Sequence, residues 1–179
     1  MIPAQERLDQ LRAVSGQRWV LVLIAVITPV LACLATGVAS GSNPTAVSVA
    51  VAGLAVCAVL RPDAHTDIFV LIVIVGFWLA QVDDVVTPWA IVVALAMLGH
   101  HVVMSMMAAA PNGAVFDPAI VRRWLMRSGL VSIATGGVWA TVFALDHRRL
   151  AGNAALLLAA LVALVLATVG IRARSLPPE

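Results

Sequence analysis

The sequence predicts an all-α fold, a polytopic integral membrane bundle of about six transmembrane helices with both termini in the cytoplasm. Composition is the first observation behind this prediction. The 179-residue chain is 62% hydrophobic and 11% charged, with a mean hydropathy of +1.04, whereas a soluble domain is about 45–50% apolar and about 25% charged. A chain this small cannot bury so much apolar surface in water. The composition therefore excludes a soluble globular domain, a disordered chain and a nucleic-acid-binding module.

Six long apolar runs are the second observation, since a spanning helix needs about 20 apolar residues. The runs lie within a predicted transmembrane domain over residues 18–172 and cover residues 19–39, 44–60, 67–82, 88–110, 118–145 and 153–171. The second and third runs are short, so a re-entrant hairpin buried within protein is the alternative there. We interpret the first run as a retained helix rather than as a cleaved signal peptide.

Helix starts follow one pattern in three places, where a capping residue precedes a proline. The pairs are Asn43-Pro44, Thr87-Pro88 and Asp117-Pro118. The capping side chain accepts a hydrogen bond from a free backbone N–H, and proline loses no hydrogen bond at the first helical position. Inside the first run, Pro29 removes a backbone donor and predicts a kink.

Arginine placement is the third observation, and it orients the chain. All 11 basic residues are arginine, a bias typical of a GC-rich bacterial genome. With the N-terminus in the cytoplasm, nine arginines lie on the inner side and only Arg148 and Arg149 lie on the outer side. Because cytoplasmic loops carry the excess of positive charge, we expect a multi-pass protein of the bacterial inner membrane.

Two cytoplasmic segments are candidate contact regions for lipid or for a partner. Apolar residues recur at helical spacing within residues 1–17, which predicts an amphipathic helix on the inner leaflet or docked on a cytoplasmic partner. Residues 117–127 carry a basic face of Arg122, Arg123 and Arg127. Such a face suits anionic lipid head groups or a cytoplasmic partner. Residues 173–179 form a short cytoplasmic tail.

One polar group of residues lies deep in the fourth run. His100 is about 18 Å along the helix from its start, near the middle of the bilayer. Ionisable residues at that depth are costly and usually face the bundle interior or a water-filled cavity. His101 lies about a quarter turn away from His100. The side chains that share the His100 face, at spacings of three, four and three, are Met97, His100, Met104 and Met107.

The histidine pair allows three interpretations. In a packed core, the imidazoles bond polar groups of neighbouring helices and methionine fills gaps. In a pathway for protons, metal ions or a small polar solute, a histidine titrates and Asp83 and Asp84 form the external mouth. A metal or haem site is the third, but His65 and His147 lie in loops and no second helix offers a cysteine or methionine cluster. We therefore expect no metal and no cofactor.

Function is predicted mainly from missing motifs and from small side chains. The sequence lacks a phosphate-binding loop, a dinucleotide loop and the common hydrolase motifs, so we expect no enzyme. Stripes of small residues let helices approach closely, and they comprise Ala46, Ala50, Gly53 and Cys57 on the second helix and Ser128, Ser132, Thr135, Gly136 and Ala140 on the fifth. The leading hypothesis is an accessory or scaffold subunit that assembles with other membrane subunits or with itself. The alternative is a small transporter or channel that uses His100 and His101.

Overall fold

The computed structural model describes residues 15–61, 64–84, 86–109 and 116–147, which are 88% helical and contain no strand. Their five helices are α1 (Gly16–Ser40), α2 (Thr45–Leu60), α3 (Ala64–Gln81), α4 (Trp89–Ala108) and α5 (Pro118–His147). The all-α class is confirmed, and each helix matches one of the first five apolar runs to within three residues at either end. The sixth run, the tail and residues 1–14 of the predicted amphipathic segment 1–17 lie outside the described residues, and Gly16 and Gln17 of that segment belong to α1.

Length and apolarity single out α1 and α4. Among the described residues, these two helices are long and apolar enough to cross a membrane. The helix α2 and the Thr66–Gln81 part of α3 are apolar but shorter. The number of membrane spans therefore stays a prediction, as does the six-helix bundle.

The capping residues act at all three proline junctions. A side-chain oxygen accepts a hydrogen bond from the backbone N–H two residues further along, at 3.0 Å for Asn43, 3.4 Å for Thr87 and 2.8 Å for Asp117. Each bond satisfies one of the N–H groups that a helix start leaves without a helical partner. The helix α5 therefore begins at its proline as predicted, whereas α2 and α4 begin one residue later, at Thr45 and Trp89.

Two glycines shape the turn between α1 and α2. Gly41 ends α1 with φ at 68°, in the left-handed region, and its N–H bonds the carbonyl of Gly37. A Cβ atom at Gly37 would lie 2.6 Å from Cγ of Pro44, closer than packed carbon atoms approach. The start of α2 therefore packs so closely on α1 that only glycine, which has no Cβ atom, fits at position 37.

The chain divides into two compact units, Met1–Ser132 and Ile133–Glu179. In the first unit, α1 packs most extensively on α4 and also contacts α2 and α3. Small side chains of α1 and α2 meet larger ones of α3 and α4 in the core, which includes Ala25, Ala32, Cys33, Val51, Ala58, Val70, Ile74, Met104 and Met107. In the second unit, Trp139 and Phe143 stack one turn apart on α5.

The small-residue stripe of α2 lies on the exposed side of that helix. All four of its residues, Ala46, Ala50, Gly53 and Cys57, are exposed. The buried residues of α2 are instead Ser48, Val51, Ala55 and Ala58. Packing inside the first unit therefore uses a different face from the one that the stripe occupies.

Candidate functional site

Asp67 of α3 joins the two histidines of α4. A hydrogen bond of 2.6 Å links Oδ2 of Asp67 to Nδ1 of His101, and Oδ1 lies 3.1 Å from Nε2 of His100. His100 is fully buried and Asp67 is 5% exposed, whereas the His101 side chain is 55% exposed. We call these three residues the Asp67 cluster. It connects a buried imidazole, through a buried carboxylate, to an exposed imidazole.

Local helix geometry explains how one carboxylate reaches both rings. Asp67 lies in the first turn of α3, where the positive end of the helix dipole stabilises a carboxylate. His100 and His101 are adjacent on α4 and point about a quarter turn apart. Their rings therefore approach the two oxygens of Asp67 from different directions.

The second ring nitrogen of His100 is held by α1. Nδ1 of His100 donates a hydrogen bond of 2.7 Å to the carbonyl oxygen of Ala25. In a regular helix this oxygen accepts from the N–H four residues further on, but that residue is Pro29, which has no N–H. The helix α1 continues through Pro29, whose side chain is fully buried. His100 thus supplies the donor that Pro29 lacks.

Two buried atoms of the Asp67 cluster make no hydrogen bond within the described part of the chain. They are Oδ1 of Asp67 and Nε2 of His100. Although 3.1 Å separates them, their mutual orientation falls outside hydrogen-bond geometry. Buried polar atoms without partners cost about 1–3 kcal/mol each, so this contact is the least satisfied part of the Asp67 cluster.

The face of α4 that the methionine spacing predicts is buried. Met104 is 3% exposed and Met107 is 1% exposed, and Met97 packs against the core from its edge. Thioether groups are weak hydrogen-bond acceptors. The polar contacts of His100 therefore come from Asp67 and Ala25, and the methionines provide apolar packing.

The predicted external mouth lies far from the histidines along α3. Asp83 and Asp84 follow the last residue of α3, so the helix rise separates them from Asp67 by about 24 Å. Both are exposed, and Oδ1 of Asp84 accepts a hydrogen bond from the N–H of Val86 in a local turn. The structure brings Asp67 to the histidine pair and leaves the Asp83-Asp84 pair at the other end of α3.

The basic face is exposed at the beginning of α5. Arg122, Arg123 and Arg127 all lie on the surface. The N–H of Phe116, just before α5, donates to Oε1 of Gln17 at the start of α1 at 2.9 Å. The beginnings of the two helices are therefore neighbours.

Sequence reasoning missed Asp67 as a site residue and used it as the start of the third run. An acidic residue in a first helical turn is an ordinary helix-start feature, which hid its second role. The sequence feature that could have revealed Asp67 is a carboxylate on one apolar helix together with imidazoles deep in another. Burying either kind of ionisable group alone in an apolar medium is costly, so a carboxylate and an imidazole are natural partners.

Comparison with known proteins leaves the residues as the sole basis for a functional proposal. No protein-family model matches this chain, and no curated protein or solved structure matches it.

Proposed function

We propose that this chain is a multi-pass protein of the bacterial inner membrane that moves protons, or a small solute coupled to protons, through the Asp67 cluster. The observation that carries the proposal is the buried carboxylate of Asp67 between two imidazoles, inside otherwise apolar helices. Ionisable residues in such surroundings commonly mark ion paths and proton relays. Imidazole is the side chain that exchanges protons most readily near neutral pH.

The surface of the helices supports a membrane location. Only 39% of the most apolar window of α1 is buried, and only 33% of that of α4. The core helix of a soluble protein would bury most of this surface. Exposed large apolar side chains include Val20, Leu23, Leu31, Val38, Val49, Phe69, Ile72, Leu79, Leu125, Leu130 and Ile133. Lipid is a favourable solvent for such a surface.

The difference in burial between the two histidines supports a relay. A relay needs one group that meets the surroundings and another that lies inside the protein. His101 is the exposed member and His100 the buried one. Asp67 contacts both, so a proton taken up at His101 reaches the same carboxylate that faces the buried His100.

Proton flux into liposomes tests this proposal. The purified protein is reconstituted, a potassium gradient with valinomycin drives protons inward, and an internal pH-sensitive dye reports the rate. We expect Asp67→Asn and His101→Gln each to lower the rate by at least about tenfold, because general acid–base groups contribute about 100-fold or more to proton transfer. Asp146→Asn, which alters an exposed carboxylate near the end of α5, should leave the rate unchanged.

Two results would contradict the transport proposal. One is an unchanged rate in Asp67→Asn, and the other is wild-type flux equal to that of protein-free liposomes.

A second candidate function, an accessory or scaffold subunit, is favoured by the exposed stripe of α2. Small side chains at Ala46, Ala50 and Gly53 allow another helix to approach closely in lipid, and all three are exposed among the helices that the structure describes. The occupant would be a second copy of this chain or a different membrane subunit. The large apolar surface around the stripe suits either one.

Cysteine crosslinking separates this candidate from transport. Cys57 lies on the stripe and is exposed, whereas Cys33 is buried. If two copies meet along α2, mild oxidation of native membranes should give a disulfide-linked dimer that Cys57→Ser abolishes. A stable monomer that shows no crosslink, and that purifies without another protein in mild detergent, would contradict the subunit proposal.

A further inference from the structure

We infer that Pro29 is a positioning residue for the Asp67 cluster: it frees the Ala25 carbonyl to orient His100, so that one proton stays between His100 and Asp67 and His101 exchanges protons with the surroundings. The inference rests on the proposed function for the use of these protons. Its geometric basis is independent of transport and follows in three steps.

The first step concerns the tautomer of His100. A backbone carbonyl oxygen is an acceptor only, so the bond of 2.7 Å from Nδ1 to Ala25 requires a proton on Nδ1. The absence of an N–H at Pro29 leaves this oxygen without its helical donor. Pro29 therefore makes the oxygen available, and the oxygen determines which nitrogen of His100 always carries hydrogen.

The second step concerns the contact between His100 and Asp67. With Nδ1 protonated, a neutral His100 has an unprotonated Nε2 that lies 3.1 Å from Oδ1 of Asp67. Both atoms are buried, and an electron-rich nitrogen this close to a carboxylate oxygen would be repelled in a medium of low dielectric constant if neither atom carried a proton. One proton therefore belongs to the pair, on Nε2 or on Oδ1. In both cases the pair has no net charge, which its burial favours.

The third step concerns His101. Its Nδ1 bonds Oδ2 of Asp67 at 2.6 Å, and its side chain is 55% exposed, which leaves Nε2 as the remaining site for a proton. Uptake of one proton from the surroundings at Nε2 changes the net charge of the cluster from zero to +1, and release of that proton reverses the change. The charged groups that act on His100 are Asp67 and His101, and α1 contributes the Ala25 carbonyl.

Nitrogen NMR of the full chain, labelled with ¹⁵N-histidine in lipid nanodiscs, tests the inference. His100→Gln and His101→Gln assign the signals. We expect the His100 Nδ1 to stay protonated throughout a pH titration while the His101 nitrogens shift. In Pro29→Ala, the new N–H shares the Ala25 oxygen and weakens the bond from His100. Exchange of the His100 Nδ1 proton with water should then rise about five- to tenfold, the factor that the loss of about 1 kcal/mol of hydrogen bonding implies.

Pro88→Ala is the matched control, because that proline precedes α4 and interrupts no helical hydrogen bond. It should leave the His100 signals unchanged. Pro29→Ala is expected to fold, since it removes a residue that costs about 3 kcal/mol in a helix interior. An unprotonated Nδ1 in His100, a titrating His100 beside a constant His101, or unchanged proton exchange in Pro29→Ala would overturn the inference. If the NMR results are as expected but the liposomes show no proton flux, the transport proposal is wrong and the inference about Pro29 stands.

Discussion

At the scale of single residues, the feature that needs explanation is a carboxylate buried among apolar side chains. Removing a charge from water costs several kcal/mol unless partners compensate for it. Asp67 has three compensating contacts: the ring of His100, the ring of His101 and the first turn of its own helix. The cluster is therefore a unit, in which the loss of Asp67 removes the carboxylate partner of both imidazoles.

Replacing one member of the buried pair Asp67 and His100 should destabilise the protein more than replacing both members together. We expect Asp67→Leu or His100→Leu alone to lower the free energy of unfolding by about 3 kcal/mol, since each leaves a buried polar partner uncompensated. The double variant should lose clearly less than the sum of the two, because it leaves neither a buried carboxylate nor a buried imidazole. Unfolding by steric trapping in lipid measures all three values.

Asp84→Asn serves as the surface control for this cycle and should change the free energy of unfolding by less than about 0.5 kcal/mol. Strict additivity of the Asp67 and His100 substitutions would contradict a coupled pair.

At the scale of helices, α1 is the element on which α2, α3 and α4 pack. Its small buried side chains, Ala25, Ala32 and Ala35, allow close packing, and Pro29 presents a backbone oxygen to α4. Near its end, Gly37 admits the ring of Pro44. The helix α1 thus contributes a backbone oxygen and room for close packing, whereas α3 and α4 contribute the ionisable side chains of the Asp67 cluster.

The approach of Pro44 to α1 makes Gly37 sensitive to a single methyl group. A Cβ atom there would lie 2.6 Å from the Pro44 ring, so Gly37→Ala should destabilise the protein by about 1–3 kcal/mol through overpacking. Gly53→Ala is the matched control on α2, because nothing lies within 4 Å of its added methyl group. That control should be neutral or stabilising by up to about 1 kcal/mol. Thermal unfolding in detergent compares the two, and equal destabilisation would contradict the close approach.

At the scale of the whole molecule, exposed apolar surface and arginine distribution together argue for a membrane protein of defined orientation. Large apolar side chains are exposed on all five described helices. Arginines of the predicted cytoplasmic side include Arg18, Arg61 and Arg123, and the loop after α3 carries Asp83 and Asp84 without an arginine. Since positive charge is retained in the cytoplasm, the loop after α3 should face outward.

Labelling from outside the cell measures this orientation. In a background in which Cys33 and Cys57 are replaced by alanine, a membrane-impermeant maleimide should label Asp84→Cys in intact spheroplasts. It should label Arg123→Cys only after permeabilisation, because the arginine distribution predicts that the start of α5 faces the cytoplasm. Labelling of Arg123→Cys in intact spheroplasts, or protection of Asp84→Cys there, would invert the predicted topology.

Much of the local structure could be predicted from the sequence. The starts of α2, α4 and α5 follow from a capping residue before a proline, and the burial of Met104 and Met107 with His100 follows from their spacing. These features depend on residues within one or two helical turns. The sequence by itself therefore determined the helices and their apolar character, along with the buried face of α4.

Contacts between helices required the tertiary structure. His101 meets a carboxylate 34 positions away, and His100 meets a carbonyl 75 positions away. Nothing in the local sequence indicates that Asp67 is more than a first-turn residue, or that the oxygen freed by Pro29 has an imidazole as its donor. Which apolar helices lie side by side depends on the sum of many weak packing contacts along the chain. Tertiary structure alone therefore decided that Asp67, His100 and His101 form one site.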